Sequence, residues 1–240
     1  MAFIFLPPSS DDLTRLFKAW RFWVVLTLLG GLLGAALYTV TPPPYRARAT
    51  VIVDFNIEEA WTPTQDKQAF YYLEREVRKL IEIAWSDAVV QSVADSDGQA
   101  TVSELRGGKL LLSQPREGGW VFWAEDSNPA RAQSLAAAWA GAFTARVQDG
   151  VTASMTLQSF QAEIQNGCGG DCANIESQIA ELESRSLTVS PYIETSISQQ
   201  ANLPLSRRVN LSAYILAGAI SALCLASLFV LLNSWKNRRA

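Results

Sequence analysis

Two uncharged apolar runs lie near the ends of this 240-residue chain, Phe22–Val40 and Leu211–Leu232, and most of its charge lies between them. Each approaches the roughly 20 apolar residues that a helix needs to cross a hydrocarbon core of about 30 Å. The pattern predicts two transmembrane helices displaying one central domain. A cleaved signal peptide is the alternative for the first run. Against it stand the length of the run, the lack of a small-x-small site before Thr41-Pro42-Pro43-Pro44, and Trp20 and Trp23 at its entry, where interfacial aromatic residues anchor a span.

Orientation follows from the short flanks. Arg15, Lys18 and Arg21 precede the first run, and Lys236, Arg238 and Arg239 follow the second, which places both tails in the cytoplasm; Arg46, Arg48, Arg207 and Arg208 on the inner flanks reduce the contrast. The expected plan is a cytoplasmic tail over residues 1–21, a span over 22–40, a periplasmic domain over 41–210, a second span over 211–232 and a cytoplasmic tail over 233–240. In a bacterium this is an inner-membrane protein with an extracytoplasmic domain.

Cysteine usage agrees with that plan. Cys168-Gly169-Gly170-Asp171-Cys172 is tight enough for a disulfide across a turn, which needs an oxidising compartment, although two free thiols beside a helical turn fit the same spacing. Cys224 lies in the second apolar run.

The chain contains no histidine, which excludes Ser-His-Asp and Cys-His catalysis, histidine-ligated metals and histidine phosphotransfer. There is no G-x-x-x-x-G-K-[ST] loop and no G-x-G-x-x-G turn; Gly107-Gly108-Lys109 is only a fragment of the former. No metal and no cofactor is expected. With a formal net charge of −3 and no basic stripe, nucleic acid is not an expected partner.

The central segment is long enough for one core of its own, and proline marks its limits at Pro42-Pro43-Pro44 and Pro204. Tyr45–Asp54 alternates and is rich in β-branched residues, predicting a strand straight out of the first span. Residues 66–93 switch to helical spacing, with Phe70, Leu73, Val77, Leu80, Ile81 and Ala84 on one face. Ser86 is placed to cap a second helix after a break at Trp85-Ser86-Asp87. Lys109–Ser113 and Trp120–Glu125 predict a hairpin.

Asn128 and Pro129 then open a long helix through Leu135, Trp139, Phe143 and Val147, with Gly150 as a point where it can bend. After the cysteine turn, Ile175, Ile179 and Leu182 suit the seam of a short antiparallel coiled-coil hairpin over about residues 129–187, and equally suit ordinary packing of an amphipathic helix. Ser186–Ser198 is expected to be extended and to return beside the opening strand. The fold class is α+β: a small mixed or antiparallel sheet, packed helices and a helical hairpin, flanked by two transmembrane helices.

In this order the chain resembles the Wzz-type polysaccharide co-polymerases, the chain-length determinants of bacterial surface polysaccharides. The resemblance spans nearly the whole chain. It rests on Pro44-Tyr45-Arg46-Ala47-Arg48-Ala49 after the first span, Asp126-Ser127-Asn128-Pro129-Ala130-Arg131-Ala132 at the entry to the long helix, and Ala201-Asn202-Leu203-Pro204-Leu205-Ser206-Arg207-Arg208 before the second span. The family's larger members have a longer helical stalk and more prolines before the second span. In size this chain is similar to the compact membrane modulators that work with a separate tyrosine kinase, and its tail Asn233–Ala240 holds no tyrosine and no kinase domain.

The resemblance implies a non-enzymatic regulator of O-antigen, capsule or exopolysaccharide chain length that forms a homo-oligomer. It would act on a membrane-embedded polymerase, with a separate cytoplasmic tyrosine kinase and the growing glycan as further partners. Pro44, Tyr45, Pro204, Arg207 and Arg208 are the membrane-proximal residues it singles out. Gly30 and Gly34 in the first span, with Gly218 and Ala222 in the second, offer small-residue faces for close helix packing and assembly, although such residues are common in membrane helices.

Trp120, Trp123 and Trp139 suit either sugar stacking or the core, and Trp123 and Trp139 fit inward positions. Glu74, Glu76 and Glu82 are carboxylates of a charge-mixed helix, where solvated ion pairs are the expectation and glycoside chemistry is not. The rival class is a periplasmic sensor or a membrane adaptor of a signalling or export complex. A sensor would be expected to continue into a long cytoplasmic helix, and an adaptor to carry a longer hairpin.

Overall fold

A computed structural model of the chain describes residues 20–60, 69–116, 119–165 and 172–239. In chain order the elements are α1 (Trp20–Val40), β1 (Tyr45–Asp54), α2 (Ile57–Ala60), α3 (Ala69–Ala84), α4 (Asp87–Asp97), α5 (Val102–Glu104), β2 (Leu110–Arg116), β3 (Gly119–Asp126), α6 (Pro129–Gln165), α7 (Cys172–Ser186), β4 (Glu194–Gln199) and α8 (Leu211–Arg239). A kinked turn, Leu105–Lys109, with Gly108 at φ 129°, joins α5 to β2. The fold is α+β, and the chain divides into two compact units, Met1–Pro44 with Ser206–Ala240, and Tyr45–Leu205.

The first unit is built on α1 and α8, both long and apolar enough to cross a membrane. They pack antiparallel along a seam of small residues: Gly34 meets Tyr214 and Ile215, and Gly30 meets Gly218 and Ala222. Leu28, Leu32, Leu33, Leu216, Leu225 and Phe229 point away from the seam and are exposed.

The second unit is a four-stranded antiparallel sheet, ordered β2-β3-β1-β4, with helices on one face. Register decides which side chains are buried. Ala47, Ala49 and Val51 of β1 and Trp120, Phe122 and Ala124 of β3 all face α6, which returns Leu135, Ala136, Trp139, Ala140, Phe143 and Val147 at three- and four-residue spacing. The small β1 residues leave room for the rings. Phe122 meets Trp139 edge-on at 4.9 Å, and Phe143 stacks with Trp120 at 6.0 Å.

Trp139 also ends a helix. Its indole N–H donates to the Ala84 carbonyl at 2.9 Å, satisfying one of the acceptors that the last turn of α3 leaves open. Ser86 then accepts from the Val89 N–H and caps α4, while Arg106 donates to the Trp85 carbonyl at 2.7 Å. The break between the two helices is thus fastened from both sides.

Four features differ from the sequence expectation. Gly150 does not interrupt α6, which runs as one helix; a Cβ there would lie 3.1 Å from the Ser186 carbonyl, so the glycine permits close approach at the end of α7. Only Glu194–Gln199 of the predicted final strand is extended and paired with β1. Before it, Leu187 and Thr188 take consecutive left-handed conformations (φ 52° and 55°), held by Lys79 Nζ on the Thr188 carbonyl at 2.5 Å and by the buried Val189.

Glu76 is buried rather than solvated, because its face of α3 turns toward this reversal; Lys79 closes on its Oε1 at 2.8 Å. Trp123 faces outward, because burial of Trp120, Phe122 and Ala124 puts the opposite parity of β3 on the other side of the sheet.

Candidate functional site

The three segments that carry the sequence resemblance are each fixed by polar contacts. In the first unit, the Arg208 N–H donates to the Pro44 carbonyl at 3.0 Å and the Arg207 guanidinium donates to the Pro43 carbonyl at 2.8 Å. The chain leaving α1 is therefore tied to the chain approaching α8. Prolines cannot donate from the backbone, so their carbonyls are the available acceptors here.

In the second unit, Asn202 imitates a strand partner. Its side-chain oxygen accepts from the Arg48 N–H at 2.8 Å, and its own N–H donates to the Arg48 carbonyl at 3.2 Å. Gln133 of α6 secures the neighbouring Ala201 carbonyl at 2.8 Å. Pro204 is buried just beyond, and Tyr45 opens β1 opposite Asp126.

The entry to α6 is a charged junction. Asn128 Oδ1 caps Ala130 N–H at 2.9 Å, and Asp126 accepts the Asn128 N–H at 2.9 Å and Lys109 Nζ at 3.0 Å. Arg131 grips Asp97 at the end of α4 with two bonds of 2.9 and 2.7 Å. The Arg131 bonds hold the Asp97 carboxyl below its ordinary range. Burial pushes the Asp126 carboxyl up, but the Asn128 N–H, Lys109 and Arg131 outweigh it and lower the pKa. Lys109 also pairs with Glu104 at 2.6 Å, so Gly107-Gly108-Lys109 ends in a lysine committed to two acids rather than in a phosphate cradle.

Small residues are brought together as the spacing allows, within one chain. A Cβ on Gly30 would overlap the Gly218 carbonyl oxygen and the Ala222 side chain; one on Gly34 would overlap the Tyr214 carbonyl, and one on Gly218 would sit 3.1 Å from Gly34 Cα. These four positions are used in packing α1 on α8 of the same chain. Cys168 and its turn lie outside the described residues, as do the side chains of Cys172 and Ile175, while Cys224 is an exposed free thiol.

The three carboxylates of α3 have separate settings. Glu74 pairs with Arg78 at 3.3 Å, Glu76 is enclosed by Lys79 and by Arg75 at 3.7 Å, and Glu82 is exposed. Among the described residues, no three acidic, cysteine or histidine side chains converge as metal ligands.

The face of the sheet away from the helices holds a further group of residues. Arg46, Arg48 and Thr50 of β1 stand beside Glu125, Trp123 and Val121 of β3, with Leu111 of β2 opposite Trp123. The Arg46 guanidinium lies 5.5 Å and that of Arg48 6.0 Å from the Trp123 ring centroid, and Arg46 is also paired with Glu125. The signal for this group was the even spacing of Arg46 and Arg48, which places both on one face of a strand.

No family model and no curated protein matches the chain. Among solved structures, it is similar to a full-length bacterial polysaccharide co-polymerase at 10% sequence identity, over 94% of this chain and 98% of that chain, with a TM-score of 0.39.

Proposed function

We propose that the protein is a non-enzymatic inner-membrane regulator of surface polysaccharide chain length, acting as an oligomeric scaffold beside a membrane-embedded polymerase. The observation that carries this reading is the placement of the three family-like segments. One follows α1, one opens α6 and one precedes α8, and each performs a local structural task at its place. Both tails would be cytoplasmic and the sheet domain periplasmic. A separate cytoplasmic tyrosine kinase would be a further partner.

The glycine seam bears on how such a scaffold would assemble. Because Gly30, Gly34, Gly218 and Ala222 are engaged within one chain, contacts between copies would come from other surfaces. Deleting and restoring the gene and running surface polysaccharide on a gel tests the reading. A modal length distribution that is lost on deletion and returns on restoration is expected; an unchanged profile refutes it in favour of a sensor or adaptor role.

A further inference from the structure

The outward face of the sheet contains two arginines in the same setting with different partners. Both guanidiniums lie over the Trp123 indole within cation–π range. Stacking uses the flat face of a guanidinium and leaves its N–H donors around the edge, where a carboxylate is bound. Arg46 lies over the ring and is also paired with Glu125. Arg48 has the same ring contact, is exposed, and has no acidic partner among the described residues.

Its backbone is also fixed, since Asn202 holds both the N–H and the carbonyl. Strand, clamp and ring therefore position a cation that no acid among the described residues neutralises. We infer that the sheet face around Arg48 and Trp123 is a binding surface for an extended polysaccharide bearing carboxylates. That the anion belongs to a glycan rests on the function proposed above; that it is an anion rests on Arg48.

The surroundings suit a polymer chain better than a protein partner. Thr50 next along β1 and Ser198, whose hydroxyl donates to the Thr50 carbonyl at 3.2 Å, supply hydroxyls, while the exposed apolar side chains of the face, Leu111 and Ile52, lie on β2 and β1. Protein interfaces keep an apolar core depleted of charge, whereas here a charged guanidinium stands between Trp123 and Asn202.

The test uses the full-length protein in nanodiscs of zwitterionic lipid, so that no anionic headgroup competes. Galacturonate oligomers and neutral maltooligosaccharides of equal length are titrated by calorimetry. Binding of the uronate only, weakening with salt, is expected. Arg48→Gln should lower the affinity about tenfold, equivalent to about 1.4 kcal/mol, while Arg106→Gln on another surface should not.

Failure to bind uronate, equal binding of the neutral oligomer, or an unaltered affinity in Arg48→Gln overturns the inference. So does a change in assembly mass on Arg48→Gln without a change in binding, which would assign the face to a second copy. The gel profile is read separately, so a working regulator that binds no uronate would refute this surface and leave the chain-length role standing.

Discussion

The helix pair and the sheet domain are held together by opposite choices of side-chain size. Where α1 meets α8, the contacts are Gly30, Gly34, Gly218 and Ala222, and the large residues point outward. Where α6 meets the sheet, Trp120, Phe122, Trp139 and Phe143 fill the interface, with alanines on β1 making space. A membrane setting for α1 and α8, as proposed above, would explain the difference. In hydrocarbon, a leucine gains little by leaving lipid for another leucine, so association depends on close backbone approach. In water, apolar area removed from solvent is the driving term, and large rings provide the most of it.

The comparison breaks most visibly at Trp139. Trp139→Ala should cost about 3–5 kcal/mol, because it removes the ring at the centre of the domain and the donor to the Ala84 carbonyl. Denaturant unfolding should show the domain's near-ultraviolet circular dichroism lost early while far-ultraviolet helix signal from α1 and α8 persists. Loss of both together would mean that the two units do not fold on separate principles.

Gly30→Leu with Gly218→Leu probes the other side, with overpacking costs of about 1–3 kcal/mol at each position. Cysteine cross-linking between engineered sites on α1 and α8 should fall, and the domain's melting midpoint should hold. A change in assembly size with cross-linking intact would place the glycines between copies instead.

The smallest expected effect, about 2 kcal/mol, is that of Asp97→Asn, which replaces a charge-assisted pair by a weaker one. Because the folded-state pKa of Asp97 is depressed, its contribution is complete above the ordinary carboxylate range and is lost as pH falls through the folded value. The wild-type domain should therefore lose stability below about pH 4, and Asp97→Asn should flatten that part of the profile. An unchanged acid limb would assign the pH response to other carboxylates.

Much of this construction was legible in the sequence, because local chemistry decided it. Ser86, Asn128 and Pro129 predict helix starts by capping, and the structure uses each of them so. Trp123 was not legible: Trp120-Val121-Phe122-Trp123 is apolar at both parities, and which parity is buried depends on how β3 registers against Ala47 and Ala49 seventy or more residues away. Glu76 eluded reading for a similar reason. A charged residue on an amphipathic helix looks solvated until the reversal at Leu187-Thr188 is known to lie against it. Gly150 was visible, but its use belongs to a carbonyl on another helix.

The Asn202 clamp has a topological consequence. It joins positions 154 residues apart in the sequence, so the beginning and end of the sheet domain lie side by side, and the domain is in effect an insertion into a helical hairpin. Such a module closes on itself: a short linker from the segment after Asn202 back to Tyr45 would make the chain circular, and new ends could then be opened elsewhere on its surface without cutting the pairing that holds β1 in place.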